Sequence, residues 1–328
     1  MAAQFKVVVI GTGYPTYEYE EKILKEVGAE LVLSEATTEK EVAEAVRDAD
    51  GILNRTISIS AEAIDAMEKC RVIARYGVGY DNVDVAAATK KGICVANVPS
   101  YCKDEVAEQA FALLLTCIRR TVEHDRLIRK GEWDICAKYP MYRIRGKTLG
   151  LLGLGQIARS LAEKASGLGV RMISHDPYVK PEQAKACNVE LVELETLWKD
   201  SDYISIHAPA TESTRHIVND EAFGLMKKTV IIVNTSRGAL IDEKALEAAL
   251  RDGLIGGAGL DVFEVEPLPA DSPLRQYDNV VLSDHEGWYS EESQVDLQTL
   301  ASMEVARVLK GGLPESLVNP DVKEIIGK

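Results

Sequence analysis

The stretch Thr148-Leu149-Gly150-Leu151-Leu152-Gly153-Leu154-Gly155-Gln156-Ile157-Ala158 decides the fold. A short apolar run passes into Gly-x-Gly-x-x-Ala, and a helical pattern follows. Gly153 permits a tight turn, Gly155 lets the backbone approach a pyrophosphate, and Ala158 lets a helix pack closely on a sheet. The N–H groups at the helix start, near Gln156 and Ile157, are placed to hold phosphates. A second strand candidate, 170–174, ends at His175-Asp176, and Asp176 stands 23 residues after Gly153. That is the place of a carboxylate bonding an adenosine ribose. Asp176 would also repel a 2′-phosphate, and Pro177 and Tyr178 bring no cation, so the pattern favours NAD over NADP. Gly11-Thr12-Gly13 follows a strand as well. Pro15 and Thr16 would spoil close helix packing there, and the segment reads as a structural turn.

Outward from this stretch, short apolar runs alternate with amphipathic ones. Strands are expected at 6–10, 30–33, 51–53, 71–75 and 93–96, then at 148–152, 170–174, 203–207, 230–234, 257–261 and 280–282. Such alternation predicts α/β architecture with parallel sheets. The rhythm changes at Pro99-Ser100, where one long helix is expected over 104–130, and another is expected over 291–310. The chain thus reads as two doubly wound parallel-sheet domains. Residues 101–291 form a Rossmann cofactor domain; 1–100 and 292–328 form a smaller, flavodoxin-like substrate domain. The hinges are expected near 99–101 and 290–292, with domain closure over the substrate.

Composition excludes other classes. At 328 residues the chain is long enough for about two domains. Lys and Arg number 38 against 52 Asp and Glu, a net charge of −14. A surface so acidic repels nucleic acid and anionic lipid. No apolar run reaches the ~18 residues of a membrane span, and the start, Met1 to Ile10, carries no basic leader. The six Cys, at 70, 94, 102, 117, 136 and 187, form no Cys-x-x-Cys pair. They read as small buried hydrophobes in a reducing cytoplasm, and no metal-ligand cluster is evident.

Three segments at expected strand ends carry unusual polar residues: Asn234-Thr235-Ser236-Arg237-Gly238, Gly259-Leu260-Asp261-Val262-Phe263-Glu264-Val265-Glu266-Pro267 and Ser283-Asp284-His285-Glu286-Gly287-Trp288-Tyr289-Ser290. In an open α/β sheet, ligands lie at the carboxyl ends of the strands. An Arg grips a carboxylate with two parallel hydrogen bonds. A His hands a proton to a developing alkoxide, and a neighbouring carboxylate keeps the imidazolium available. Beside a nicotinamide, this set makes a hydride-transfer site for a 2-oxo acid.

With these segments, with Gly77-Val78-Gly79-Tyr80-Asp81-Asn82-Val83-Asp84 and with His207-Ala208-Pro209, the chain resembles the D-isomer-specific 2-hydroxyacid dehydrogenases over nearly its whole length. The resemblance implies an NAD-dependent enzyme interconverting a 2-oxo acid and a D-2-hydroxy acid. Arg237 would bind the substrate carboxylate and carbonyl, His285 would be acid and base, and Glu266 would orient and charge His285. Asp261 would hold the nicotinamide carboxamide; Thr235, Ser236, His207, Pro209 and Gly287 would line the cofactor. Backbone N–H groups of Val78 and Gly79 would complete the carboxylate site. A homodimer built on the cofactor domain is implied too.

Arg143-Ile144-Arg145-Gly146 and the Trp288-Tyr289-Ser290-Glu291 that follows His285 are similar to the C-terminal-binding-protein branch, co-repressors on a dehydrogenase fold. In that branch the Trp reaches the substrate side chain. Asp284 replaces a usual Pro, Ala110 replaces a Thr, and Glu286 adds an acid beside His285, so Asp284 and Glu286 bear on the pH optimum. The branch keeps an alternative open: an NAD(H)-sensing binding module with little turnover. A phosphoglycerate dehydrogenase would usually carry a further C-terminal domain, for which the chain leaves no room.

Specificity has two readings. Arg55 could grip a distal phosphate or carboxylate, or be a surface arginine; Trp288 argues instead for an apolar or aromatic side chain. Hydroxypyruvate, glyoxylate and 3-phosphoglycerate all stay open as substrates. Tyr139, Met141 and Tyr142 read as an interface loop. His124 and His216 have no partner motif, and His175 reads as solvated.

Overall fold

The computed structural model describes residues 3–133 and 140–327; Cys136 and Tyr139 lie outside them. The chain divides into two compact units, Met1–Cys102 with Ser290–Lys328, and Lys103–Tyr289.

The first unit is built on β1 (Phe5–Ile10), β2 (Ala29–Ser34), β3 (Gly51–Asn54), β4 (Val72–Arg75) and β5 (Cys94–Ala96). They lie in the order β2-β1-β3-β4-β5, every pair parallel. This is the flavodoxin-like order, whose switch point falls between β1 and β3. Strands buried on both faces must be apolar throughout, and Val8, Ile10, Ile52, Ile73 and Val95 fill the core with Ile59, Ile64 and Met67. The helix Glu291–Leu309 packs against β3. Gly51 allows it, since a Cβ there would stand 2.9 Å from Val305.

The second unit holds β6 (Thr148–Leu152), β7 (Arg171–His175), β8 (Glu190–Leu191), β9 (Tyr203–Ile206), β10 (Ile231–Asn234), β11 (Gly257–Leu260) and β12 (Val280–Leu282). The order is β12-β11-β10-β9-β6-β7-β8, again all parallel. Its switch point lies between β6 and β9, where an open sheet binds its ligand. The two-residue β8 escapes sequence reading because it is too short to show a period. The helix Lys103–Arg119 rests directly on the sheet: a Cβ at Gly259 would lie 3.1 Å from Leu113 and 3.3 Å from Cys117.

One expectation is corrected. The helix expected over 104–130 is two helices, Lys103–Arg119 and Thr121–Arg129. Arg120 between them is left-handed, with φ 51°, and its buried guanidinium donates to Glu123 at 3.0 Å. The apolar period continues through the break, so it gives no warning there. No helix among the described residues is long and apolar enough to cross a membrane.

Candidate active site

The loops leaving the carboxyl ends of β6, β7, β9, β10, β11 and β12 carry most of the residues singled out above. Gly153 follows β6 with φ 89°, and a Cβ there would lie 2.9 Å from Ala208 N. The turn after β6 therefore touches the chain after β9, which only glycine permits. Gly155 is the opposite case, since a Cβ there would meet nothing within 4 Å. The helix Gln156–Ala165 begins at this open space, with Ala158 fully buried. Its first N–H groups, Gln156 and Ile157 among them, lack intrahelical acceptors, as at any helix start.

Asp176 follows β7 and accepts from Leu154 N at 2.8 Å and from Tyr178 N at 2.9 Å. It thus ties the glycine turn to the β7 loop, and each oxygen retains acceptor capacity. His175 is not solvated as expected. It is half-buried, with Nδ1 3.1 Å from Val192 O, because β8 pairs beside β7 and brings that carbonyl close.

After β9, His207 Nε2 lies 2.8 Å from Ser205 Oγ, and burial pushes its imidazole down to about 4, so it is neutral at pH 7. Pro209 is exposed and its carbonyl accepts from Thr214 Oγ1 at 2.7 Å. Ser236 Oγ donates to Ala208 O at 2.6 Å, joining the loops after β9 and β10. The buried Thr235 hydroxyl has no partner among the described residues. A buried hydroxyl without a partner is costly. Together with the open space before Gly155, it marks where a dinucleotide fits the residues present.

Arg237 stands in a turn stitched by Asn234. Asn234 Nδ2 donates to Arg237 O at 2.9 Å, and its Oδ1 accepts from Ser236 N at 3.0 Å. Arg237 Nη1 donates to Ser236 O at 2.8 Å. At Gly238 a Cβ would stand 1.9 Å from the backbone carbon of Phe263. The Arg237 turn therefore lies directly on the loop that follows β11. In that loop Glu266 Oε1 accepts from Phe263 N at 2.9 Å, and Oε2 bonds His285 Nδ1 at 2.7 Å. Burial alone would raise the Glu266 carboxyl. The His285 hydrogen bond, the Phe263 N–H and the positive charges of His285 and Arg237 outweigh it, holding Glu266 below the usual carboxylate range. An ionised carboxylate only accepts, so Nδ1 carries the proton and Nε2 is left for exchange.

His285 itself is left-handed, with φ 60°. Asp261, buried, lies beneath its loop: the carboxylate accepts from Ser283 Oγ at 2.6 Å, Glu286 N at 3.2 Å and Gly287 N at 3.0 Å. Trp288 is half-buried and meets Tyr289 edge-on, ring centroids 5.6 Å apart.

In the first unit, the N–H groups of Val78 and Gly79 find no acceptor among the described residues. Arg55 is half-buried rather than a free surface arginine. Its guanidinium lies 4.8 Å over the Tyr14 ring and donates to Thr12 O at 3.3 Å, in the space that Gly13 leaves. Asn54 and Arg75 are partners in the β3–β4 register, and the Arg75 guanidinium covers Gly77.

Several contributors were given no role of their own in the sequence reading: Asn234 and Ser283, although their segments were singled out, Gln109, Arg75, and the pairing of His216 with Glu264 beside Asp242. The Asn234 and Ser283 strand-end positions were the available signal. Gln109 and His216 carried none, because their partners lie 174 and 48 residues away. Among the described residues, no group of three His, Cys, Asp or Glu can hold a metal ion.

A parallel nucleotide-binding sheet that brings an arginine turn against a glutamate-paired histidine defines a nicotinamide-dependent oxidoreductase acting on CH–OH. The chain belongs to the D-isomer specific 2-hydroxyacid dehydrogenase family, whose NAD-binding-domain model matches residues 111–287. It is 42% identical over 293 residues to a glyoxylate reductase of Korarchaeum cryptofilum, covering 88% of each chain. It is also 42% identical over 318 residues to a D-3-phosphoglycerate dehydrogenase of Methanocaldococcus jannaschii, covering 96% of this chain and 60% of that one. A solved NADPH-dependent glyoxylate/hydroxypyruvate reductase of Sinorhizobium meliloti, in complex with NADP and malonate, superposes with a TM-score of 0.86 at 29% identity. The match covers 97% of this chain and 98% of that one.

Proposed function

We propose that this protein interconverts a small 2-oxo acid of the glyoxylate or hydroxypyruvate class and its D-2-hydroxy acid, with NAD(H) as cofactor. The observation that carries the reading is the 2.7 Å Glu266–His285 bond beside the Arg237 turn. The chemistry supplied by a bound nicotinamide is the hydride that reaches C2. His285 Nε2 donates the proton to the carbonyl oxygen in reduction and takes it back in oxidation. Glu266 fixes the ring through Nδ1 and offsets the imidazolium charge. Arg237 binds the substrate carboxylate. Gly153, Gly155, Gln156, Ile157, His207, Pro209, Thr235, Ser236, Asp261 and Gly287 hold the cofactor. Asp176, beside a ribose, would repel a 2′-phosphate, hence NAD over NADP. We infer a cytoplasmic homodimer formed through the second unit.

A second substrate reading, a distal phosphate or carboxylate, is favoured by Arg55. It stands after β3 at the switch point of its sheet, pre-oriented on Tyr14. Trp288 favours an apolar or aromatic side chain instead. NADH and NADPH oxidation against glyoxylate, hydroxypyruvate, phosphohydroxypyruvate and apolar 2-oxo acids tests both readings, with His285→Ala and Arg55→Ala beside the wild type. Glyoxylate or hydroxypyruvate turnover that is lost in His285→Ala and preserved in Arg55→Ala supports the first. Turnover of phosphohydroxypyruvate that collapses in Arg55→Ala replaces it with the second. Full turnover by His285→Ala sinks the mechanism.

A further inference from the structure

We propose that Ser283 and Gln109 are positioning residues for His285, acting through the buried Asp261 carboxylate. The inference rests on the reading of His285 as acid and base. His285 holds a left-handed backbone, φ 60°, and a non-glycine residue stays there only when its surroundings over-determine it. Those surroundings are specific. Asp261 O accepts from His285 N at 2.8 Å. Its carboxylate accepts from the next two N–H groups, Glu286 at 3.2 Å and Gly287 at 3.0 Å. One buried residue therefore grips three consecutive N–H groups, beginning at the histidine.

The side chain that directs this grip is Ser283. Its Oγ donates to Asp261 Oδ1 at 2.6 Å and accepts from Gln109 Nε2 at 3.0 Å. A serine hydroxyl has a single proton and rotates freely. By donating into the hydroxyl, Gln109 commits that proton to Asp261. Gln109 Nε2 also lies 3.4 Å from Glu286 Oε1, and a Cβ on Gly287 would lie 3.2 Å from Gln109 Cγ. Gln109 belongs to the helix Lys103–Arg119, which is packed on β11 through Leu113 and Cys117. The His285 loop is thereby referenced to the sheet. Without the Ser283 proton, Asp261 Oδ1 retains only the longer Glu286 contact. A buried carboxylate short of donors moves toward others, and the three N–H groups and the imidazole move with it.

The test compares Ser283→Ala, Ser283→Thr, Gln109→Met and the double variant Gln109→Met/Ser283→Ala with the wild type and His285→Ala. The readouts are kcat for 2-oxo acid reduction, the NADH Kd by fluorescence titration, and Tm. We expect kcat to fall about tenfold or more in Ser283→Ala, since small misplacements of reacting groups are costly. NADH Kd should rise far less than kcat falls, since Asp261 and Gly287 also line the proposed cofactor site, Tm should stay close to wild type, and Ser283→Thr, which restores the hydroxyl, should recover kcat. Gln109→Met should lose less than Ser283→Ala, and the double variant should be no worse than Ser283→Ala, the mark of one pathway. Unchanged kcat in Ser283→Ala overturns the proposal. So do a failure of Ser283→Thr to rescue, additive losses, or a loss that follows NADH affinity or Tm. Gln109→Met keeps the length of the side chain and decides the matter if Ser283→Ala does not fold. Full turnover by His285→Ala would instead overturn the underlying reading, so the two failures are distinguishable.

Discussion

Replacing Gly238 by alanine should disable the site from a position that touches no substrate. The new Cβ would stand 1.9 Å from Phe263 C, 2.0 Å from Phe263 O and 2.3 Å from Glu264 N. Ordinary contact begins near 3.4 Å, so the two loops must part by about 1.5 Å. No rotamer relieves the clash, because all three partners are backbone atoms. The Arg237 side resists movement, since Asn234, fully buried, bonds both Arg237 O and Ser236 N. The Phe263 side must therefore yield. Phe263 N is bonded to Glu266, which holds His285. Overpacking of this kind costs roughly 1–3 kcal/mol, or a Tm loss of about 5 °C for a chain of this size. A displacement of about 1 Å in a catalytic group costs roughly 100-fold in rate. We therefore expect kcat/KM for 2-oxo acid reduction to fall about 100-fold in Gly238→Ala, with NADH binding weakened far less. Steady-state kinetics, NADH titration and thermal melts would measure these. Near wild-type kcat/KM at an unchanged Tm would refute the reasoning, since the loops would then separate without disturbing Glu266.

Three further outcomes are expected. Glu266→Gln keeps the shape but removes the charge beside His285, so the high-pH limb of the reduction profile should move to lower pH and kcat should fall; an unmoved limb in a pH–rate series counts against the pairing. Glu266 is held low when folded, so its own stabilisation is present above the ordinary carboxylate range and fades as pH falls through it. His207 is pushed from 6.5 to about 4, so the fold prefers it neutral: stability is full above pH 6.5 and declines from there toward pH 4. The decline is at most about 3 kcal/mol, discounted because the ring is only half-buried, and urea melts of wild type and His207→Gln at pH 7 and 4.5 should diverge accordingly. In the first unit, Glu20 is fully buried and accepts from Tyr76 Oη and Gln298 Nε2, while Gln298 Oε1 has no partner among the described residues. Burial raises the Glu20 carboxyl, so its stabilisation belongs to low pH and is lost as pH rises. Glu20→Gln stays neutral at every pH, so its Tm should fall less than that of wild type between about pH 5 and pH 8; an equal fall would count against that account.

Local sequence carried the architecture and most of the residues of the candidate site. Parallel strands buried on both faces leave continuous apolar runs, and the turn after β6 needs glycine where Gly153 nears Ala208. Arg237, Glu266 and His285 were legible as candidates because ligands in such sheets lie where parallel strands end. Other features left no local trace. The break at Arg120 interrupts no period and contains neither Gly nor Pro. It depends on burying that guanidinium beside Glu123. Arg55 reads as a surface charge or a ligand grip until the fold lays it across Tyr14.

What sequence alone determined here is whatever depends on periodicity and on backbone permission: two sets of parallel strands, the glycine turn after β6 and the polar residues that end each strand. Only the tertiary structure decided which of those ends meet. The contact of Gly238 with Phe263, the grip of Asp261 on the His285 loop and the reach of Gln109 to Ser283 each join segments far apart in the chain. A hydrogen bond depends on the position of two atoms in space, and separation along the chain says nothing about that until the sheet has set the distance between them.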